Sequence, residues 1–514
     1  MGGCLASPPS TPGQEEAGEA FPSSRSARCV AFQSQQQDVK RPYLRYDAQG
    51  GAASGSRPLR LNGEGVASPY TRFYLEPASR EHHGLVHIRC CYDSRYWAAQ
   101  QRAHDGSWVV GTADEVEEDL SRPTCTLFRT MRVHPSGSIR LLHVHLEKYL
   151  CLPSSAESDT MIELQAVNPS LHKGDEQDAP TVCTFTVHDL SEQFVLPRYL
   201  AFIGDNDKYL RTRTMERHQY LEFSGHDVRD EAVLNTVHTN DDGTFRVRSN
   251  FVGKFWRRSP NWIWADSDGD ATDSSGDTLF RVIRLSGAGG FLALQNLGNN
   301  YFCKRLTTEG KRNCLNAGTP TVTADARLRL QETVVSREIC NVEFDLSNSR
   351  IYGRSSVSMT AASALNGTTS NNTAELALEY TDPEKRMMTW GSSVTLKSNS
   401  VATSICAGIP VIVADGSVEV SSPFSRSCSW GLPVPKETVQ KVSYEVTVPP
   451  KTRVTVASTA TRASCEVPFS YTQRDTLFDG RQVTYDMDDG LYTGVDCYDF
   501  KHVTSEEKYE PHAS

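Results

Sequence analysis

TLFRTMRVHPSGSIRLLHVHLEKYLCL, residues 126–152, can be written directly above TLFRVIRLSGAGGFLALQNLGNNYFCK, residues 278–304. Both open on TLFR, both alternate apolar and polar residues through two short runs, and both close on a polar or Gly pair, an aromatic and a second apolar residue. That closing motif recurs as SRYW (94–97), EKYL (147–150), DKYL (207–210), GKFW (253–256) and NNYF (299–302). Its aromatics are Tyr96, Tyr149, Tyr209, Phe255 and Tyr301, the last three standing 46 residues apart. A second pair of segments, HIRCCYDSRYW (87–97) and RVRSNFVGKFW (246–256), aligns in the same way. Alternation with period two marks a half-buried strand, so each repeat holds about four short strands.

Three such units make a β-trefoil, a closed barrel capped by hairpins with internal threefold symmetry. Their duplication predicts two tandem trefoils, over 39–190 and 191–336, with the first repeat of the first copy (around PYLRYD, 42–47) the most degraded. Residues 1–38, rich in Gly, Ser, Pro, Ala and Gln, read as a disordered tail. Residues 337–514 read as a separate module. The expected fold class is all-β: two tandem β-trefoil domains followed by an elongated antiparallel module. The motif aromatics Tyr149, Tyr209 and Tyr301 are expected in the core.

Composition narrows the function classes. Lys and Arg number 53 against 63 Asp and Glu, a net charge of −10. An acidic chain without a long basic stripe argues against nucleic acid as a partner. There is no apolar run of about 18 residues and no apolar signal core. The reading is a cytoplasmic or nucleocytoplasmic protein whose 14 cysteines are reduced and mostly buried. MGGCLASPPS adds a side reading: Gly2 is the acceptor position for N-myristoylation and Cys4 sits where a palmitate is added. Together they form a two-chain plasma-membrane anchor. Ala6 stands where the motif wants Ser or Thr, and the alternative is a plain tail. CxxC, HExxH, P-loop and G-x-S-x-G motifs are all missing, so no metal, no cofactor and no enzymatic activity are expected.

KFWRRSPNWIWADSDG (254–269) holds Trp256, Trp262 and Trp264, three of the seven tryptophans. Trp262 and Trp264 flank Ile263, so a strand turns both rings to one face. A ring beside Asn, Arg and Asp groups suits a sugar, whose apolar C–H face stacks while its hydroxyls take polar partners. The competing reading is core packing, and the expectation is one ring buried and at least one exposed. This stretch and the tandem trefoils resemble the agglutinin domain of amaranthin-type plant lectins. The resemblance implies head-to-tail dimerisation and recognition of Gal-β1,3-GalNAc, with galactose- or GalNAc-containing glycans as partners. It nominates Asn250, Phe255, Trp256, Asn261, Trp262 and Trp264 as sugar contacts. In the first copy, DSRYWAAQQRAHDGSWVVG (93–111) keeps only Trp97 and Trp108.

From about residue 337 Ser and Thr dominate and alternation becomes strict, as in Val442, Tyr444, Val446 and Val448, so long half-buried antiparallel strands are expected. SYEVTVPPKTRVTV (443–456) reads as a long hairpin. Between Trp390 and Trp430 two Ser/Thr-rich arms flank AGIP (407–410). Val394, Leu396, Ile412, Ala414, Val418 and Val420 give these arms an apolar face over the roughly 10 residues a membrane-spanning strand requires. A hairpin packed on its own sheet is the alternative. CAGIPVIVADGSVEVSSPFS (406–425) and VPFSYTQRDTLFDGRQVTYDMDDGLYTGVDCYDFK (467–501) resemble the aerolysin-like module fused to such lectins in plants. That resemblance implies a homo-oligomer on a glycan-bearing membrane, refolding of this hairpin into a β-barrel pore, and a role in plant defence. The competing function is a non-lytic lectin whose last module drives oligomerisation or signalling.

Overall fold

The computed structural model describes residues 27–35, 41–48, 57–66, 68–102, 106–133, 138–151, 165–167, 183–190, 196–269, 275–285, 290–389, 401–420, 424–427 and 434–508. Within them the regular structure is β throughout, apart from three-residue 3-10 turns. In the second trefoil, Tyr199–Ile203, Asn235–Thr239, Phe245–Ser249, Phe280–Arg284, Leu292–Asn296 and Arg329–Glu332 pair in a ring, closed by a bridge between Leu292 and Leu328. Three hairpins cap it: Tyr209–Met215 with His218–Gly225, Phe255–Ser259 with Trp262–Ser267, and Phe302–Thr308 with Lys311–Thr319. They meet through the pairs Tyr220–Trp264, Glu222–Cys314 and Trp262–Asn316. The first trefoil closes the same ring from Arg28–Ser34, Phe73–Pro77, Leu85–Cys90, Phe128–Val133, Ser138–His143 and Phe185–Asp189. Each barrel is filled by rings from the inward face of its strands: Phe32, Phe73, Trp97 and Phe128 in the first, Phe202, Phe223, Trp256 and Phe280 in the second.

The ring of six corrects the expected tail. Arg28–Ser34 is a barrel strand, because CVAF supplies Val30 and Phe32 to the core and its backbone pairs on both sides. CVAFQS (29–34) matches YLAFIG (199–204) of the second copy, a likeness the polar run after it obscures.

The recurring motif has a backbone reason. Ser94, Glu147, Asp207, Gly253 and Asn300 all have positive φ, between 51° and 69°, which makes the turn from barrel to hairpin. The aromatic follows two residues later, so Tyr209 and Phe255 correspond to Phe302, not to Tyr301. The loop between Phe280–Arg284 and Leu292–Asn296 shifts the register by one residue relative to the first copy. Tyr301 is therefore 42% exposed, against the expectation that it is core, and Tyr149 and Tyr209 are half-buried and not core either.

Cys151 and Cys183 form a disulfide, so the expectation of reduced thiols fails for this pair. Cys151 ends the strand Lys148–Cys151, and Cys183 stands two residues before the strand Phe185–Asp189 of the same sheet.

His143 is fully buried, edge-on to Phe128 at 5.0 Å. Its Nδ1 accepts from Leu146 N–H at 3.3 Å, so the neutral ring donates Nε2–H to Cys125 O at 3.1 Å. Burial pushes its pKa down from 6.5 to about 4. A base whose folded pKa lies below its unfolded one contributes stability above the unfolded pKa and loses it on acidification. The first trefoil is expected to lose roughly 2–3 kcal/mol between pH 6.5 and pH 4 through this residue. His143→Gln should flatten that part of a stability-against-pH curve measured by denaturant titration.

The C-terminal module is built on two very long strands, Thr452–Leu477 and Gln482–Lys508, paired along their length. Val334–Phe344 and Arg350–Asn366 follow one another along the free edge of the first. Asn372–Thr389 pairs with Val434–Val448 as a second layer and touches the main sheet through Arg386–Thr389. Leu376, Leu378, Val446 and Val448 of that layer pack on Val454 and Val456 of the main sheet. This corrects the expected 443–456 hairpin: the strands on either side of Pro449-Pro450 face each other across a core and are not hydrogen-bonded partners. The Pro pair withholds donors at the ladder's end, and Lys451 at φ 53° turns the chain between layers.

Arginines hold the module to the trefoils. Arg337 joins Glu332 of the second trefoil to Asp475, at 2.7 Å, in the module. Arg350 pairs with Glu466 at 2.9 Å and donates to Asp114 O of the first trefoil at 2.6 Å.

Candidate functional site

The pleat of the Phe255–Ser259/Trp262–Ser267 hairpin divides the three tryptophans. Trp256 is 0% exposed, 5.0 Å from the Phe202 ring and edge-on to Phe280 at 6.1 Å; it is core. Trp262 and Trp264 share the opposite face, as alternation requires, but that face is closed. Tyr220 meets them edge-on at 5.9 and 5.6 Å. His218 stacks on Trp264 at 4.0 Å, and Arg257, held by Asp266, also lies over the ring. Trp262 is buried and donates Nε1–H to Glu309 at 3.3 Å. The expected exposed ring is therefore not found. The three cap hairpins pair tip to tip, which brings Tyr220 and His218 onto the tryptophans and leaves Trp264 half-buried.

The remaining nominated residues separate. Phe255 is buried against His238 at 5.3 Å. Asn250 caps the barrel turn, accepting from Thr236 Oγ1 at 2.8 Å. Asn261 stands exposed at the hairpin tip, and here a polar network gathers. Asn299 donates Nδ2–H to Asn261 Oδ1 at 3.2 Å and to Ala317 O at 2.9 Å. Ala317 N–H donates to Asn261 O at 2.7 Å. Arg258 donates Nη2–H to Asp277 Oδ1 at 2.5 Å and reaches Pro260 O through Nη1. Gly298 lies so close to Asp277 that any Cβ there would collide with Oδ1. The exposed Tyr301 is tied in by its N–H to Asn299 Oδ1 at 3.0 Å.

This network is fixed before any ligand arrives. Asn261 Nδ2 and Asp277 Oδ2 have no partner among the described residues, leaving a donor and an acceptor free in a network that the exposed Tyr301 joins through its backbone N–H. A carboxylate and an amide suit vicinal hydroxyls, and the phenol ring suits a pyranose C–H face. Sequence reasoning found Asn261 but missed Asp277, Asn299 and Tyr301. The signal was the NLGNNY run (296–301), small amides and Gly around an aromatic outside a strand.

The hairpin nominated for insertion has a different shape from the one expected. Ala402–Ala407 pairs in parallel with Val334–Phe344 and antiparallel with Phe424–Ser427. Beyond it, Pro410–Ile412 and Val418–Val420 form a small hairpin of their own, turned at Val413–Ser417 with Gly416 at φ 82°. The second arm expected after AGIP is thus two strands, because Asp415-Gly416 is itself a hairpin turn. Ile412 and Val418 are buried against the main sheet, whereas Ala414 and Val420 are exposed. Asp496 accepts Ile412 N–H at 3.0 Å in a buried contact. Val394 and Leu396, like Gly2 and Cys4, lie outside the described residues.

A family model for the agglutinin domain matches residues 33–175 and 194–331, one copy on each trefoil. The chain belongs to the agglutinin family. No curated protein sequence matches it. Among solved structures, a lamprey immune protein is 12% identical over 62% of this chain and 92% of its own, at TM-score 0.30. A mosquitocidal holotoxin is 9% identical over 59% of this chain and 33% of its own, at TM-score 0.27. A non-toxic crystal protein from Bacillus thuringiensis is 13% identical over 34% and 86%, at TM-score 0.21. Similarity this distant assigns no residue. As an agglutinin, the chain is a carbohydrate-binding lectin with two copies of the domain.

Proposed function

We propose that this lectin binds galactose- or GalNAc-terminated glycans, of the Gal-β1,3-GalNAc type, and brings an aerolysin-like pore-forming module to the membrane that bears them, in plant defence. The observation that carries the sugar half is the fixed Asn261–Asn299–Arg258–Asp277 network, joined by the backbone of exposed Tyr301. The module's long Ser/Thr-rich strands support the membrane half, since such strands present one polar and one apolar face once rearranged in a closed barrel. The non-lytic reading has one observation in its favour: Ile412 and Val418 are buried in the module's core, so insertion first requires removing them from it.

Calorimetric titration with Gal-β1,3-GalNAc tests the sugar half. Tyr301→Ala is expected to weaken binding by about 1–2 kcal/mol, roughly 5–30-fold, with the melting temperature unchanged because the ring is exposed. Asn261→Ala should act in the same direction. Full affinity in both variants would move the site elsewhere.

A further inference from the structure

The turn between barrel and middle hairpin is built alike in both trefoils. In the second, Ser249 N–H donates to Lys254 O at 3.0 Å, Gly253 N–H to Ser249 O at 2.9 Å and Asn250 N–H to Leu234 O at 3.0 Å. In the first, Cys90 N–H donates to Arg95 O at 2.8 Å, Ser94 N–H to Cys90 O at 3.1 Å and Cys91 N–H to Arg72 O at 3.0 Å. Residue for residue, Tyr92 matches Phe251. Phe251 is 51% exposed and Tyr92 only 8%.

Tyr92 packs on Tyr46 and Tyr70 in the core of the first trefoil, and residues 345–350 of the C-terminal module close over its hydroxyl. Tyr92 O–H donates to Asp345 Oδ2 at 3.0 Å and Arg57 Nε–H to Asn348 Oδ1 at 2.7 Å. Arg57 also donates to Ser347 O, and Arg95 to Ser349 O. Each of these bonds runs from a donor on the trefoil to an oxygen on the loop, while Asn348 Nδ2 and Arg350 Nε donate the other way, to Ala48 O at 3.3 Å and Asp114 O at 2.6 Å. Tyr70 stacks on Tyr92 at 4.3 Å, and Arg45 lies 4.8 Å over Tyr70. Arg95 is 7% exposed, and its Nη1 has no hydrogen-bond partner. Taken without the loop, this surface is a stacked aromatic pair beside the guanidinium groups of Arg45, Arg57 and Arg95. On the trefoil Arg95 is already ion-paired, through Nη1 with Asp93 at 3.6 Å and through Nε with Asp114 at 2.9 Å; the module adds Asp345 and, against Tyr70, Asp488.

Guanidinium forks suit a carboxylate or sulfate. We propose that the first trefoil carries a site for an anionic glycan, a sugar bearing a carboxylate or sulfate, and that residues 345–350 occupy it in cis. The proposal goes beyond the neutral-sugar site at Asn261 and does not depend on it. Loop and glycan claim the same donors, so each weakens the other. Ligand binding loosens the module's hold on the first trefoil, and loosening that hold raises the apparent affinity.

The test is calorimetric titration of the full chain with 3′-sialyllactose, with lactose as the neutral control. Asp345→Ala/Asn348→Ala is expected to bind 3′-sialyllactose about tenfold or more tightly than the unsubstituted chain, with lactose unaffected. Adding Arg57→Ala to that variant should cancel the gain. Asp345→Asn, which keeps the loop's shape and removes only its charge, should show a smaller gain in the same direction and guards against misfolding of the double variant. No gain in either loop variant would overturn the proposal, and so would an equal gain for lactose.

Discussion

Alanine at Trp256 is expected to unfold the second trefoil and not merely to weaken its sugar binding. The indole is fully buried among Phe202, Phe280 and the apolar residues of the barrel. Removing it leaves a cavity that the paired strands cannot close, at a cost of about 3–5 kcal/mol. For a domain of this size that corresponds to a melting shift of roughly 10 °C or more, readable by scanning calorimetry. Trp264→Ala is the contrast. Its ring is half-buried at the cap's edge, so a much smaller shift is expected. Equal shifts from the two would mean that the cap, not the barrel, holds the domain together.

The second large effect is expected at Arg350. Its guanidinium is buried with Glu466, whose side chain is 13% exposed, and it supplies the bond to Asp114 O that ties module to trefoil. Arg350→Met keeps the stem and removes the charge, leaving a buried carboxylate uncompensated. The expected loss is about 3–5 kcal/mol. Because replacing a whole buried pair by apolar groups is often neutral, Arg350→Met/Glu466→Leu should recover much of it, and the double-mutant cycle reports their coupling. In calorimetry the single variant should separate the module's transition from that of the first trefoil, while sugar binding at the second trefoil persists.

The trefoils are legible in the sequence because a threefold fold writes one strand pattern again and again, and the duplication writes it twice. What the repeats hide is register. One residue in the loop before Leu292–Asn296 moves Tyr301 from its expected place in the core to the surface, and with it the aromatic of the candidate site. Periodicity also cannot say which side of a cap hairpin is covered. Trp262 and Trp264 face one way as the alternation requires, but Tyr220 and His218 come from a hairpin some 40 residues earlier. Asp277 and Asn299 join Asn261 for the same reason, from a 3-10 turn and a strand-to-strand turn that only the closed barrel brings together. In the last module alternation locates strands but not partners. Val446, Val448, Val454 and Val456 are apolar in either arrangement, and only the layers show that they face each other across a core. Asp415-Gly416 was the available sign that the supposed arm folds back on itself.

The central claim is that sugar recognition directs this chain to membranes, and dye release from liposomes with and without a Gal-β1,3-GalNAc glycolipid tests it most directly. The account predicts release from the glycan-bearing liposomes alone, lost in Tyr301→Ala. Neither binding nor release with the glycolipid present, or equal release from bare liposomes, would contradict it.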